Sequence, residues 1–283
     1  MPKESVAVVL GGGGLAGIGW TTGALAALEE CGTLRLAAVD QVIGTSAGAA
    51  VAAVVLQAGS AGVEYDRVRK TRRNDELVPA VALADVLPDV LAIHDSDEPL
   101  AVKAARLAEL SRQRSGTDPA RRRAAIAGRV AADTWPDGRF GITAVRADGS
   151  RTVFTRDSGV GLVDALTASC AVPGLWPVAR VNGVDHLDGG TFSLTNADLA
   201  AAADRVVVLQ PMPDPPAYTT AEHRAVLDRA VVVEPSERSR AGFGADPFDP
   251  DVRGIAAVLG YEDGLAAAPA VAALVENGLT GKH

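Results

Sequence analysis

Three short stretches of the chain carry residue types that do chemistry. The first is Gly44-Thr45-Ser46-Ala47-Gly48. A serine hydroxyl becomes a nucleophile only when it is exposed, aimed and relieved of its proton. A sharp turn between strand and helix does the aiming, and small flanking residues permit the strained backbone this needs. The helix behind it places a positive end beneath the oxygen. The same five residues also suit a tight turn with a serine N-cap. The second stretch is Gly11-Gly12-Gly13-Gly14-Leu15-Ala16-Gly17. Its glycines let backbone N–H groups face a cavity, where they bind a phosphate or the oxyanion of a tetrahedral intermediate. Gly12, Gly13 and Gly14 are the candidate donors. The third is Asp188-Gly189-Gly190, which follows a hairpin strand and on its own also reads as a turn.

The same residue types also serve other chemistries. Gly12-x-Gly14-x-x-Gly17 fits a dinucleotide fingerprint, but that requires an acid closing the second strand. Asp40 lies before that strand instead, and no Lys-Ser/Thr follows the loop as a P-loop demands. A Ser–His–Asp triad in the usual order needs a histidine after the acid. His223 and His283 lie there; His223, in Thr220-Ala221-Glu222-His223-Arg224, reads as a solvated helix start. His186 precedes Asp188 by two residues, so both side chains are expected on one strand face, where His186 would tune the acid. Four scattered histidines give no metal-ligand spacing, and neither a metal nor an organic cofactor is expected.

The elements that must position these groups follow from apolar patterning. Val6–Leu10 is an unbroken apolar run, a buried parallel strand, stopped by four glycines. A helix over 20–30, a strand over 41–43 and a helix over 47–57 begin a doubly wound sheet. Strands are expected at 140–145, 152–155, 178–181, 184–187, 205–210 and 230–234, with Asn182-Gly183 as the clearest hairpin turn. Residues from about 62 to 135 read as helices broken at Pro79, Pro88, Pro99 and Pro119, a helical cap inserted in one domain of 283 residues. Residues 236–250 read as a mobile loop. From 251 on the chain reads as helix, broken at Gly264 and Pro269.

Bulk composition narrows the classes. Hydrophobic residues make up 48% and charged residues 22%, enough for a large core. A net charge of −8 disfavours nucleic acid as partner. Residues 67–129 depart from this balance, with 13 basic against 9 acidic side chains. Arg121-Arg122-Arg123 and Arg67 to Arg73 suit anionic headgroups or, more simply, solvated helix faces. Cys31 and Cys170 read as buried reduced thiols. No signal peptide is visible, and the longest apolar runs, 47–56 and 266–275, are too short to span a bilayer. A cytoplasmic protein with at most peripheral membrane contact is expected. Trp20, Trp135 and Trp176 suit either packing or an acyl pocket, Trp176 best; oligomeric state is not legible.

Taken together, the three stretches resemble the patatin-like phospholipases over about residues 5–58 and 160–212. Ala168-Ser169-Cys170-Ala171-Val172-Pro173 resembles the segment preceding the aspartate in that family. The resemblance implies a three-layer α/β/α fold with a mainly parallel sheet. It also implies a lipid or other acyl ester as substrate, Ser46 as nucleophile and Asp188 as its acidic partner. Gly12 to Gly14 would form the oxyanion loop, with Gly17, Gly44, Gly48, Gly189 and Gly190 shaping the turns. The family usually has a basic residue where this chain has Ala16. Asn196 comes two residues later than in the family's Asn-x-Pro, without the proline. A Ser–His–Asp esterase, a non-catalytic ligand or nucleotide binder, and an inactive scaffold are the alternatives.

Overall fold

In the computed structural model, which describes residues 4–70, 76–215 and 219–276, every run expected as a strand joins one eight-stranded sheet. In chain order the elements are β1 (Val6–Leu10), α1 (Gly14–Glu30), β2 (Gln41–Thr45), α2 (Ala47–Ala58), α3 (Ala61–Val68), α4 (Leu83–His94), α5 (Leu100–Arg114) and α6 (Pro119–Ala127). There follow β3 (Phe140–Arg146), β4 (Arg151–Phe154), α7 (Leu162–Ser169), β5 (Ala179–Val181), β6 (Val184–Asp188) and β7 (Arg205–Leu209). The last are α8 (Ala221–Leu227), β8 (Val231–Val233), α9 (Glu237–Gly242) and α10 (Val252–Glu276).

The strand order is β5-β6-β3-β2-β1-β7-β8, with β4 paired to β3. The stretch β3-β2-β1-β7-β8 is parallel, and β4, β5 and β6 run antiparallel to their neighbours. β1 is buried on both faces because alternate side chains enter different cores. Val8 and Leu10 pack with α1 and α2, while Ala7 and Val9 pack with Ala197, Ala200 and Val226 on the opposite side. This is the expected three-layer arrangement.

One hand-over in the sheet places the chemistry. β4 occupies one edge of β3 from Ile142 to Val145. On the other edge β2 pairs as far as Thr45↔Thr143, and β6 takes over at Asp188↔Ala144. The residue after Thr45 and the last residue of β6 therefore meet on the same edge of β3, where the chain order switches.

Several expected breaks are absent. Pro88 lies inside α4, and Gly264 and Pro269 lie inside an uninterrupted α10. Gly264 serves close approach rather than termination, because a Cβ there would press on the Ala24 backbone of α1. Gly19, Gly23 and Gly260 line the same contact, so α1 and α10 pack backbone to backbone. The segment read as a loop over 236–250 holds α9, capped by Ser236 and tied by Ser239 Oγ to Asp263 at 2.6 Å. As one helix, Val252–Val275 is long and apolar enough to cross a membrane, with a mean hydropathy of 1.3, which the separate apolar runs did not reveal. Here α10 lies against α1, and Trp20 Nε1 donates to its Asp263 at 2.7 Å.

Candidate functional site

The turn at Ser46 is strained. Ser46 has φ 51° and ψ −115°, outside the regions open to ordinary residues. Three contacts hold it there. Its N–H donates to Ser169 Oγ at 2.9 Å, and its carbonyl accepts from Ala50 N–H at 3.1 Å and from Cys170 Sγ at 3.4 Å. The flanking glycines are required by crowding. A Cβ on Gly44 would meet Ala49 Cα at 2.5 Å, and one on Gly48 would overlap the Leu10 carbonyl. Gly48→Ala is therefore expected to destabilise the fold by at least about 3 kcal/mol, read as a lower thermal midpoint. An unchanged midpoint would mean that α2 does not rest on β1 as described.

The glycine loop lies against this turn. A Cβ on Gly12 would touch Ser46 Cβ at 3.4 Å, and one on Gly17 would touch Ala47 Cβ at 3.3 Å. Gly17 thus lets the starts of α1 and α2 come together. The expectation of three free donors needs correction, because Gly12 N–H is committed to Leu194 O at 2.8 Å. Among the described hydrogen bonds none engages the N–H of Gly13 or Gly14, which precede the first helical hydrogen bond of α1. Ala16 is fully buried, its N–H on Pro247 O at 2.9 Å, so the first turn of α1 offers no cation.

Asp188 is buried at the end of β6, and Gly190 N–H donates to its Oδ1 at 2.7 Å. Burial pushes its carboxyl up to about 6, against the Ser46 hydroxyl, the Gly190 N–H and Arg122, which hold it down. Its Oδ2 is buried and has no hydrogen-bond partner. A Cβ on Gly189 would overlap Thr143 Oγ1, and one on Gly190 would come within 3.0 Å of Asp188 Oδ1. The two glycines let the chain turn beside its own carboxylate.

Asn196 proves central rather than misplaced. It is fully buried with φ 54°, and its Nδ2 donates to Ser193 O at 2.6 Å and Thr45 Oγ1 at 3.1 Å. Thr45 Oγ1 in turn contacts Thr143 Oγ1 at 2.9 Å. This network ties the strand before Ser46 to the loop after Asp188. The sequence signal was an Asn at a positive-φ turn, which spacing alone does not separate from any loop Asn.

The histidines fall elsewhere. His223 is buried, not solvated: Thr195 Oγ1 lies 3.1 Å from Nε2, Ser193 Oγ 3.4 Å from Nδ1, and Asp214 3.4 Å from Nε2. Ser46 is not among its partners. Asp214 also accepts from Leu194 N–H, so the cluster holds the residue whose carbonyl engages Gly12. His186 packs on Phe154 and contacts Val184 O, and it is not among the groups that shift Asp188. His283, Arg72 and Arg73 lie outside the described residues. Asp40 accepts from Val6 N–H at 2.8 Å, at the opposite end of β1 from the glycine loop, which leaves a dinucleotide ribose without its acid.

A cavity of about 30 Å³, room for one water, opens at Ser46. Trp176, Leu77 and Phe248 wall it, and Phe248 comes from the segment expected to be a loop. Trp20 and Trp135 are packing residues, bonded to Asp263 and Val160 O. Cys31 is exposed and only Cys170 is buried. Of the arginine run, Arg123 pairs with Asp164 at the surface, but Arg122 is buried at the cavity, against the expectation of a solvated face.

A family model described as patatin-like phospholipase matches residues 8–201. No curated protein matches the sequence. Among solved structures the chain is similar to VipD from Legionella pneumophila, at 14% identity and a TM-score of 0.50, over 95% of this chain and 67% of that one. It is also similar to the type III effector protein ExoU, at 18% identity and a TM-score of 0.43, over 96% of this chain and 54% of that one.

Proposed function

The chain belongs to the patatin-like phospholipase family, whose members are lipid acyl hydrolases, and from that membership we propose that it cleaves carboxylic esters of lipids through Ser46. The observation that carries the proposal is the meeting of a strained Ser46 with a buried Asp188 on one edge of β3. Ser46 Oγ attacks the ester carbonyl carbon while Asp188 accepts the hydroxyl proton. A carboxyl near 6 is a better base than one at its ordinary value and is still mostly ionised at neutral pH. The oxyanion is met by the uncommitted N–H groups of Gly13 and Gly14, each worth about 3 kcal/mol when aligned. Asp188 returns the proton to the leaving alcohol, and water then hydrolyses the acyl-Ser46 ester by the same steps in reverse. His223 has its own partners and plays no part in this scheme.

The test is rapid-mixing kinetics on a chromogenic fatty-acyl ester. A burst of alcohol release, close to one equivalent per protein chain, is expected before the steady rate. Folded protein that turns over no ester of any chain length would favour the non-catalytic readings instead.

A further inference from the structure

One side chain at the cavity enters the chemistry above only through its charge, as one of the groups that hold Asp188 down. Arg122, on α6, is only 4% exposed. Its guanidinium carbon stands 3.8 Å from the centroid of the Trp176 ring, and its Nη2 donates to Cys170 O at 3.3 Å. Nε and Nη1 are buried without any hydrogen-bond partner. The two arginines lining the cavity differ: Arg129 donates to Glu76 at 2.8 Å, whereas no ion pair among the described residues includes Arg122, which feels the charge of Asp188. Glu76 is shared with Arg253, so it has no charge to spare for Arg122. None of the residues lining the cavity is acidic, in a chain of net charge −8. Burial draws Arg122 down to about 9, which still leaves it charged at neutral pH.

A buried cation with idle donors is unfavourable unless something supplies the anion. Nε carries one N–H and Nη1 two, all unspent. That set suits a tetrahedral oxyanion with several accepting oxygens, and the stacked Trp176 holds the guanidinium plane in place to meet it.

We propose that Arg122 is a specificity-determining residue of the Ser46 cavity, binding a phosphate group carried on the same molecule as the scissile ester. The inference rests on the hydrolase reading of Ser46. Its consequence is a preference for phosphate-bearing acyl esters over neutral ones of equal chain length.

The experiment compares a lysophosphatidate with the monoacylglycerol of the same acyl chain. Wild type is expected to show the higher kcat/KM on the lysophosphatidate. Arg122→Gln is expected to lose about 10- to 100-fold more on it than on the monoacylglycerol, with Arg122→Lys recovering part of the loss. Calorimetric binding of both lipids to Ser46→Ala reports the same preference without turnover. Binding preference without wild-type turnover would sink the hydrolase reading alone, whereas turnover without preference would sink this proposal alone. Equal losses on both lipids, with the acidic limb of the pH profile displaced, would show that Arg122 acts only by positioning charge near Asp188, and would overturn it. Inorganic phosphate that binds Ser46→Ala as tightly as the lysophosphatidate would also overturn it, by showing a site for the free ion. If Arg122→Gln does not fold, the wild-type preference decides: its absence is contrary to the proposal.

Discussion

Ser46→Ala is expected to lower ester turnover by on the order of 10⁴-fold or more while leaving the fold and lipid binding in place. In the proposed scheme the hydroxyl forms the acyl bond, so no neighbour can replace it. Alanine also keeps the N–H that Ser169 Oγ accepts at 2.9 Å, and it fits a turn already flanked by Gly44, Ala47 and Gly48. The measurements are steady-state kinetics on a fatty-acyl ester beside a thermal melt. Residual turnover within tenfold of wild type would place the nucleophile elsewhere.

Asp188→Asn is expected to trade activity for stability. An amide accepts no proton from Ser46, so turnover should fall by at least about 10³-fold. Stability should move the other way, with a defined pH dependence. The carboxyl sits at about 6 in the folded protein against 3.8 for an ordinary aspartate. The folded state therefore holds the proton more tightly than the unfolded chain. The penalty for a buried carboxylate is absent below about pH 4, grows between 4 and 6, and is complete above 6. Asparagine removes that penalty and still offers an oxygen to Gly190 N–H, so the variant should gain up to about 3 kcal/mol at pH 8 and nothing at pH 4. Thermal melts of both proteins across that range check the sign. A variant less stable than wild type at pH 8 would contradict a carboxyl destabilised by burial. In wild type the same group predicts an activity that rises with pH through about 6 and then levels.

The turn at Ser46 was legible because its signals are local. A short strand centred on Val42 and Ile43, a glycine-flanked serine and an alanine-rich helix are contiguous, and Gly44 is required by contact with Ala49, close in sequence. What escaped depended on distant partners. Arg122 looks like its neighbours Arg121 and Arg123, and only the helix phase and Trp176, far along the chain, turn it inward. His223 is buried by Ser193, Thr195 and Asp214, none of them near it in sequence. Gly264 and Pro269 read as helix breakers by local propensity, yet contact with α1 outweighs propensity along α10. Glycine loops expose N–H groups, which makes Gly12 an expected oxyanion donor, but Leu194, delivered by the loop after Asp188, takes that hydrogen bond.

The most direct measurement is mass spectrometry of wild-type protein treated with a fluorophosphonate, mapping the modified peptide. A single adduct on Ser46, formed in step with loss of ester turnover and slower below pH 6, is the expected result. An adduct on another residue, or full inactivation with Ser46 unmodified, would contradict the assignment of Ser46 and Asp188 as the reacting pair.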